Sequence, residues 1–455
     1  MGNWIRRVPM LWLLLPLVAI IIGVQHFRPN LLFPPDKTPL PLDSLRWWGV
    51  VLDTDPVRRR ASFRYDASVL PHRQHTLLYL AIDSTQVPPL RGDTLFVRTR
   101  WREGGMIADF DYGTYLRRRG IAAVGYASSR CWSVASPCKT LFRDTYALRA
   151  HLIRRLQKAG IEGTPLSIIA AMSLGYREEM DRSVQQHFQR SGAAHVLAVS
   201  GLHTGIIYGI LLALLTLFGR FKPLYNQRLK QTLLSITIIA LMIGYAAMTG
   251  NSPSVVRSVV MIGLIEVAHC MHRQSYSLNT VAAAAFLILC IRPQDLFSVS
   301  FQLSFAAVIG ILVIEPPLRK LIPINGFGTK RYALLTSIRG LITVSIAAFI
   351  ATMPITIYYF GQYSRVFILT NLLVIPLAFL IVITAMIFFA AGWIPYIGIV
   401  PTLCLKWLAC GMDFFTARME NLPHAVVTAS IDRPTVIVLY GIITAFTYLL
   451  IRLTR

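Results

Sequence analysis

The chain has 455 residues, of which 55% are hydrophobic and only 15% charged, and it carries a formal net charge of +24 with a mean hydropathy of +0.55. Soluble globular chains carry about 25% charged residues, so this composition excludes a disordered tail, a collagen-like fibre, a small disulfide scaffold and an ordinary cytosolic enzyme. A polytopic membrane protein is the class that remains.

Arg6 and Arg7 open the chain and are followed by an apolar run from Pro9 to Val24. No small-x-small cleavage site precedes His26, Phe27 and Arg28, so residues 1–27 are expected to form a retained anchor helix rather than a signal peptide. Residues 28–144 change character. Turn clusters at Pro34-Pro35-Asp36 and Pro88-Pro89 separate short alternating runs. The apolar residues of Ala61–Val69 fall on one parity, and Leu95, Val97, Thr99 and Trp101 alternate with Phe96, Arg98 and Arg100. Period two marks half-buried strands. With Trp47–Leu52, Leu77–Ile82 and Ile121–Tyr126, about five strands are available, which suits a small OB-like barrel.

Residues 145–190 are expected to hold amphipathic, interfacial helices, since Leu148, Leu152, Ile153 and Leu156 recur at helical spacing among Arg149, Arg154, Arg155 and Lys158. Residues 191–455 form the transmembrane domain. Apolar runs at about 197–218, 232–249, 254–270, 278–291, 299–314, 334–358, 366–391, 395–412 and 434–451 bring the expected total to ten spans, several of them short or broken by Gly and Pro. Lys and Arg retained in short loops mark the cytoplasmic side. Threading inward from Arg6 and Arg7 puts Arg220, Lys222, Arg228 and Lys230, then Arg319, Lys320, Lys330 and Arg331, and last Arg452 and Arg455 inside. Both termini are then cytoplasmic and the β domain external. An oxidising exterior makes Cys131 and Cys138, the two cysteines of that domain, a candidate disulfide, with two reduced thiols as the alternative. The other cysteines lie in apolar segments and no CxxC pair occurs, so neither a metal nor a cofactor is expected.

Three polar islands interrupt the hydrophobic region, and a polar group entering hydrocarbon needs a partner, a cavity or a function. The first runs from His195 through Ser200, Gly201 and His203 to Gly205. Ser200 and His203 lie on adjacent faces of a helix, which admits a Ser–His nucleophile pair or ordinary interhelical hydrogen bonding. Gly201 and Gly205, four residues apart, would let another backbone approach. The second is Gly250-Asn251-Ser252-Pro253-Ser254-Val255-Val256-Arg257. A helix entry broken at Pro253 leaves N–H groups and Arg257 able to face an anion such as phosphate. Arg257 either faces the bundle interior or snorkels to the outer interface. Glu266, nine residues on, lies about 180° around the same helix and needs a separate partner or water. The third, Arg292 to Phe305, sets Gln302 and Ser304 among aromatic residues, a composition for a wet pore or for helix packing. Ala351–Pro354, Tyr358–Gly361, Asn371 and Pro376 add further interruptions.

These segments, in this order, resemble the competence region of the ComEC-type DNA-uptake proteins: His-Val-Leu-Ala-Val-Ser-Gly-Leu-His at 195–203, Ser-Pro-Ser-Val-Val-Arg at 252–257, Phe-Gln-Leu-Ser-Phe at 301–305, and Pro354 through Pro376. Asp109-Phe110-Asp111-Tyr112, Tyr115-Leu116 and Gly120-Ile121 also resemble the end of that family's external barrel. The resemblance implies an inner-membrane channel that admits single-stranded transforming DNA to the cytoplasm, with the polar islands near its path. It implies a periplasmic or surface DNA receptor, a cytoplasmic helicase or ATPase and a separate nuclease as partners. The chain is similar to a short form without the family's metallo-β-lactamase-like domain: it contains no His-x-His cluster, so no enzymatic activity is carried over, and His269 and His272 read as a loop edge.

Residues 28–160 hold 22 Lys and Arg against 11 Asp and Glu, an excess that suits a collector of polyanion. Arg58, Arg59, Arg60, Arg64, Arg98, Arg100 and Trp101 are the candidate external DNA contacts, on a barrel that would bind single strands without reading sequence. Two other classes compete: an intramembrane hydrolase using Ser200 and His203, and a secondary transporter with a small-anion site at Asn251–Arg257.

Overall fold

The computed structural model describes residues 8–27, 41–54, 56–58, 62–71, 73–83, 86, 88–107, 110–113, 116, 120–136, 141–177, 180–197, 199–219, 227–271, 277–322, 330–392, 394 and 396–454. Two compact units result. One is mainly β and spans Leu17–Arg154 with Ala247–Gly250; the other is helical and holds Met1–Pro16, Arg155–Ala246 and Asn251–Arg455.

Among the described residues, ten strands lie in the first unit: β1 (Arg46–Leu52), β2 (Val57–Arg58), β3 (Phe63–Val69), β4 (Gln74–Leu80), β5 (Thr94–Thr99), β6 (Trp101–Arg102), β7 (Met106–Ile107), β8 (Phe110–Asp111), β9 (Ala123–Ala127) and β10 (Trp132–Ser136). All five expected strands are among them. β1 pairs antiparallel with β3 and β5, β3 with β4, and β4 runs parallel to β9. Only Arg100 separates β5 from β6, and β6 pairs with β9. One stretch of chain therefore pairs with β1 at its start and with β9 at its end, so the sheet curls round over a single core. Alternation fills that core: Val50, Leu52, Tyr65, Ala67, Val69, Leu78, Leu80, Leu95, Val97, Trp101, Ala123 and Ala127 point inward. Cys131 Sγ accepts from Ser128 Oγ at 3.1 Å, while its expected partner Cys138 lies outside the described residues.

The helices are α1 (Met10–Phe27), α2 (Leu141–Lys158), α3 (Gly163–Leu174), α4 (Arg182–Arg190), α5 (Ala194–Leu197), α6 (Gly201–Gly219), α7 (Gln227–Met248), α8 (Pro253–Cys270), α9 (Ser277–Ile291), α10 (Val299–Val313), α11 (Glu315–Leu321), α12 (Lys330–Phe360), α13 (Phe367–Ala391), α14 (Ile399–Glu420) and α15 (Arg433–Leu453), with a 3-10 turn at Pro293–Phe297. Among the described residues, seven are long and apolar enough to cross a membrane, or eight if the 43° bent pair α10 and α11 counts as one span. The expected ten included that pair and the shorter apolar helices at Gly201–Leu217 and Ser277–Ile291, of which the second, at 15 residues, falls below the roughly 17–25 residues of a transmembrane helix. The bend has a local cause, for Pro316 and Pro317 enter the first turn of α11. Pro354 and Pro376 sit inside α12 and α13, where each removes a backbone donor.

The 145–190 region is only partly amphipathic. α2 fits, burying Leu152, Ile153 and Leu156 with Arg154 and Lys158 exposed, although Leu148 is exposed and Arg149 buried against the Tyr146 ring. α3 corrects the expectation: it carries no charge and is buried from Leu166 to Leu174, a core helix rather than an interfacial one.

Candidate functional site

The break between α7 and α8 fixes the second island. Gly250 and Asn251 both take positive φ, at 75° and 53°, and their N–H groups close on Ala247 and Ala246 carbonyls at 3.1 and 2.8 Å. Asparagine tolerates that region better than most residues, so the helix stops there. Ser252 then stands at the cap position and Pro253 at the first turn of α8, the place a missing N–H costs least. The Ser252 hydroxyl makes no cap bond and is buried without a hydrogen-bond partner among the described residues.

Arg257, one turn in, is 5% exposed, so it lies inside the helical unit rather than snorkelling outward. One guanidinium nitrogen, Nη2, donates to Ser254 Oγ at 3.3 Å and to Ser300 Oγ, on α10, at 3.0 Å. Asp295, in the 3-10 turn before α10, is close enough to act on it electrostatically. The Nε–H is buried with no partner among the described residues. Arg257 thus joins the second island to the third, and it keeps unspent donor capacity in a site where a lone charge is costly.

The third island owes its shape to capping. Ser298 Oγ accepts from Phe301 N at 3.2 Å and donates to Asp295 O at 2.8 Å, while Gln302 Nε2 donates to Leu296 O at 3.0 Å. Gln302 therefore braces its own helix entry. Ser304 is half-buried on the same helix, and Phe301 packs on Phe305 with ring centroids 4.3 Å apart.

In the first island, His203 is fully buried and its Nδ1 accepts from the Ser200 N–H at 3.1 Å, with Ser200 Oγ 3.3 Å away. A side chain three residues into a helix reaching back to the cap N–H reproduces one half of a capping box, a local structural role for the Ser–His contact. A Cβ added at Gly201 would lie 3.2 Å from Ser258 Oγ on α8, so the first island meets the second there. Gly205 has nothing within 4 Å and is not the second half of a close approach. His195 lies on α5, its ring bonded to the Gly192 backbone and not gathered with the rest.

Glu266, 1% exposed, finds the partners its position demanded. Tyr208 of α6 donates to Oε1 at 2.5 Å, Ser235 of α7 donates to Oε2 at 2.6 Å, and His269 Nδ1 stands 3.7 Å from Oε1. His269 is thus a neighbour of a buried carboxylate in the last turn of α8 rather than a loop edge, and His272 lies outside the described residues. Neither Tyr208 nor Ser235 was singled out by sequence; a helical-wheel match to Glu266 across three adjacent helices is the signal that would have found them.

The β unit sorts the external candidates. Arg98 and Arg100 are exposed and Arg64 is half-buried. Trp101 is fully buried in the core, so its indole offers no face to a base; its parity with Leu95 and Val97 already required this. Among the described residues of the sheet, Trp47, Phe96 and Tyr126 carry exposed rings. The side chain of Arg58, whose backbone belongs to β2, lies outside what is described, as do Arg59, Arg60 and the loop cations Arg220 and Lys222.

A bundle of long apolar helices whose polar breaks meet at the start of α8 defines a multi-pass membrane protein. The family described as "Competence protein" matches residues 172–455, and the chain belongs to that family. It is 26% identical over 267 residues to "ComE operon protein 3" of Bacillus subtilis (strain 168), covering 59% of this chain and 31% of that protein. It is 26% identical over 278 residues to "Recombination protein 2" of Haemophilus influenzae (strain ATCC 51907 / DSM 11121 / KW20 / Rd), covering 60% and 33%, and 25% identical over 236 residues to "Uncharacterized protein YcaI" of Escherichia coli (strain K12), covering 51% and 30%. The matches span about a third of these relatives' length. No solved structure matches the chain.

Proposed function

We propose that the helical unit is an inner-membrane channel through which single-stranded transforming DNA enters the cytoplasm during competence. The observation that carries this reading is Arg257: a buried cation, linked to Ser300 on a second helix and shared electrostatically by Asp295, beside the helix N-terminus that Ser252 and Pro253 open. A phosphodiester passing that point replaces serine hydroxyls with charge-assisted bonds to the guanidinium. Asn251, Ser252, Gly201, Ser200, His203, Gln302 and Ser304 then border or brace the path, with His195 at its margin. The β unit is OB-like, its strands pairing in the order β5-β1-β3-β4-β9-β6 with β5 and β6 nearly continuous, and it faces the exterior as a collector of polyanion. Ten crossings with both termini cytoplasmic follow if the two shorter helices and the bent pair also span. A DNA receptor outside, a helicase or ATPase inside and a separate nuclease complete the machine. No cofactor is required.

The test is uptake of labelled DNA in a competent strain carrying Arg257→Gln. The conduit reading expects loss of uptake with surface DNA binding kept. Wild-type uptake in that strain contradicts it. The Ser200–His203 contact, at 3.3 Å, is the one observation favouring an intramembrane hydrolase. Ser200→Ala abolishes a hydrolase and is tolerated by a capping serine. Vesicles that take up small phosphates but not DNA would point instead to an anion transporter.

A further inference from the structure

The register of the β unit brings four side chains, two of them tyrosines that the strand pattern alone does not mark, into one outward row. Arg64 of β3 pairs with Tyr79 of β4, and Tyr79 pairs in turn with Tyr126 of β9. On the far side Trp101 is opposite Gly125, and Arg100, the exposed residue between β5 and β6, directly precedes that pair beside Tyr126. The inward parity belongs to Tyr65, Leu78, Leu80, Trp101 and Ala127, so Arg64, Tyr79, Tyr126 and Arg100 all stand on the outer face. The row reads Arg–Tyr–Tyr–Arg across about 14 Å at the usual strand spacing.

Its middle is preassembled. The Tyr79 and Tyr126 rings are stacked, with centroids 4.7 Å apart and planes within 10°. Tyr79 is anchored on a satellite core of Leu77, Leu116, Ile121 and Val124. Tyr126 leans on it with one face and remains 65% exposed. An ordinary cross-strand aromatic pair would bury both rings against neighbours. Here one ring is held rigid by the other, its outer face is open, and the neighbouring strand positions carry a half-buried Arg64 and an exposed Arg100 within a region of excess positive charge.

We infer that Arg64, Tyr79, Tyr126 and Arg100 form a stacking platform for single-stranded nucleic acid, one base continuing the tyrosine stack on the open face of Tyr126 while the arginines hold flanking phosphates. A single strand is selected because a duplex hides its base faces, and sequence is not read because every base has a π face. The inference rests on the single-strand, polyanion reading of this unit and adds the stacked Tyr79–Tyr126 pair as the place where a base is held.

The test uses the full chain in nanodiscs and anisotropy of a labelled oligothymidylate. Tyr126→Leu, which keeps bulk and strand compatibility but removes the ring, weakens single-strand binding about tenfold. Tyr126→Trp keeps it, and a duplex of equal length is bound as by wild type. Arg64→Gln with Arg100→Gln flattens the slope of log affinity against log salt by about 0.7 for each phosphate no longer held. Unchanged single-strand affinity in Tyr126→Leu, or an equal weakening on duplex or on anionic vesicles, overturns the platform. Such a result leaves the conduit reading standing, because that reading is decided by Arg257 and uptake in cells.

Discussion

Gly125→Ala is the substitution whose cost follows most directly from the geometry of the β unit. A Cβ built there would stand 2.7 Å from Trp101 Cζ3, 2.9 Å from its Cε3 and 3.1 Å from Thr99 Oγ1. Those indole atoms belong to a ring packed on all sides at 0% exposure, so they cannot swing aside. Overpacking of this kind costs about 1–3 kcal/mol. At about 4–8 °C per kcal/mol for a domain near 100 residues, the thermal midpoint of the unit falls by roughly 10 °C. Trp101→Ala removes the same ring outright and costs about 3–5 kcal/mol. Because the clash needs both partners, Gly125→Ala combined with Trp101→Leu destabilises by less than the sum of the two. Near-UV circular dichroism of the full chain in detergent reads these midpoints. A Gly125→Ala midpoint equal to wild type, or a Trp101→Ala chain of normal stability that has lost only DNA binding, would refute the reasoning and return Trp101 to the surface.

Other consequences are equally direct. Glu266→Ala leaves the Tyr208 and Ser235 hydroxyls without their shared acceptor; at about 0.6–1.7 kcal/mol per interhelical bond in a membrane the helical unit loses about 1–3 kcal/mol, measurable by denaturant titration in micelles, whereas Glu266→Gln loses less than half of that. Equal stability of the alanine variant would show the clamp to be idle. Burial alone would raise the Asp53 carboxyl, but hydrogen bonds from His75 and Ser68 outweigh it and hold the group below the ordinary carboxylate value. A depressed folded value means that this contribution is fully present above the unfolded value of about 3.9 and is lost as pH falls through the lower folded one. The midpoint of the β unit therefore drops more steeply below about pH 4 in wild type than in Asp53→Asn, and parallel curves would contradict the assignment.

Much of this was written in the alternation and in the interruptions. The parity of Leu95, Val97, Thr99 and Trp101 fixes which face is core, and it should have overruled the placing of Trp101 among the external contacts. The strand positions were legible because period two is local, but the row Arg64–Tyr79–Tyr126–Arg100 depends on which strands are neighbours, a property of non-local pairing. The polar islands were legible because Asn251, Pro253 and Arg257 are out of place in an apolar run. What they do to each other was not: whether Arg257 faces Ser300 or water depends on how α8 meets α10, and whether Gln302 lines a path or braces a turn depends on a loop geometry that carries no period. α3 was missed as a core helix because its twelve residues follow a strongly amphipathic helix and are too few to register as a span.

The most direct measurement is photocrosslinking of DNA arrested during entry, with a photoreactive side chain placed at Ser300, opposite Arg257, and a control at Leu403 on an exposed face of α14. Crosslinks to the incoming strand at position 300 and none at 403 are the expected result. Labelled strand that enters normally yet never crosslinks at 300 would contradict the claim that the meeting point of α8 and α10 lies on the path of the DNA.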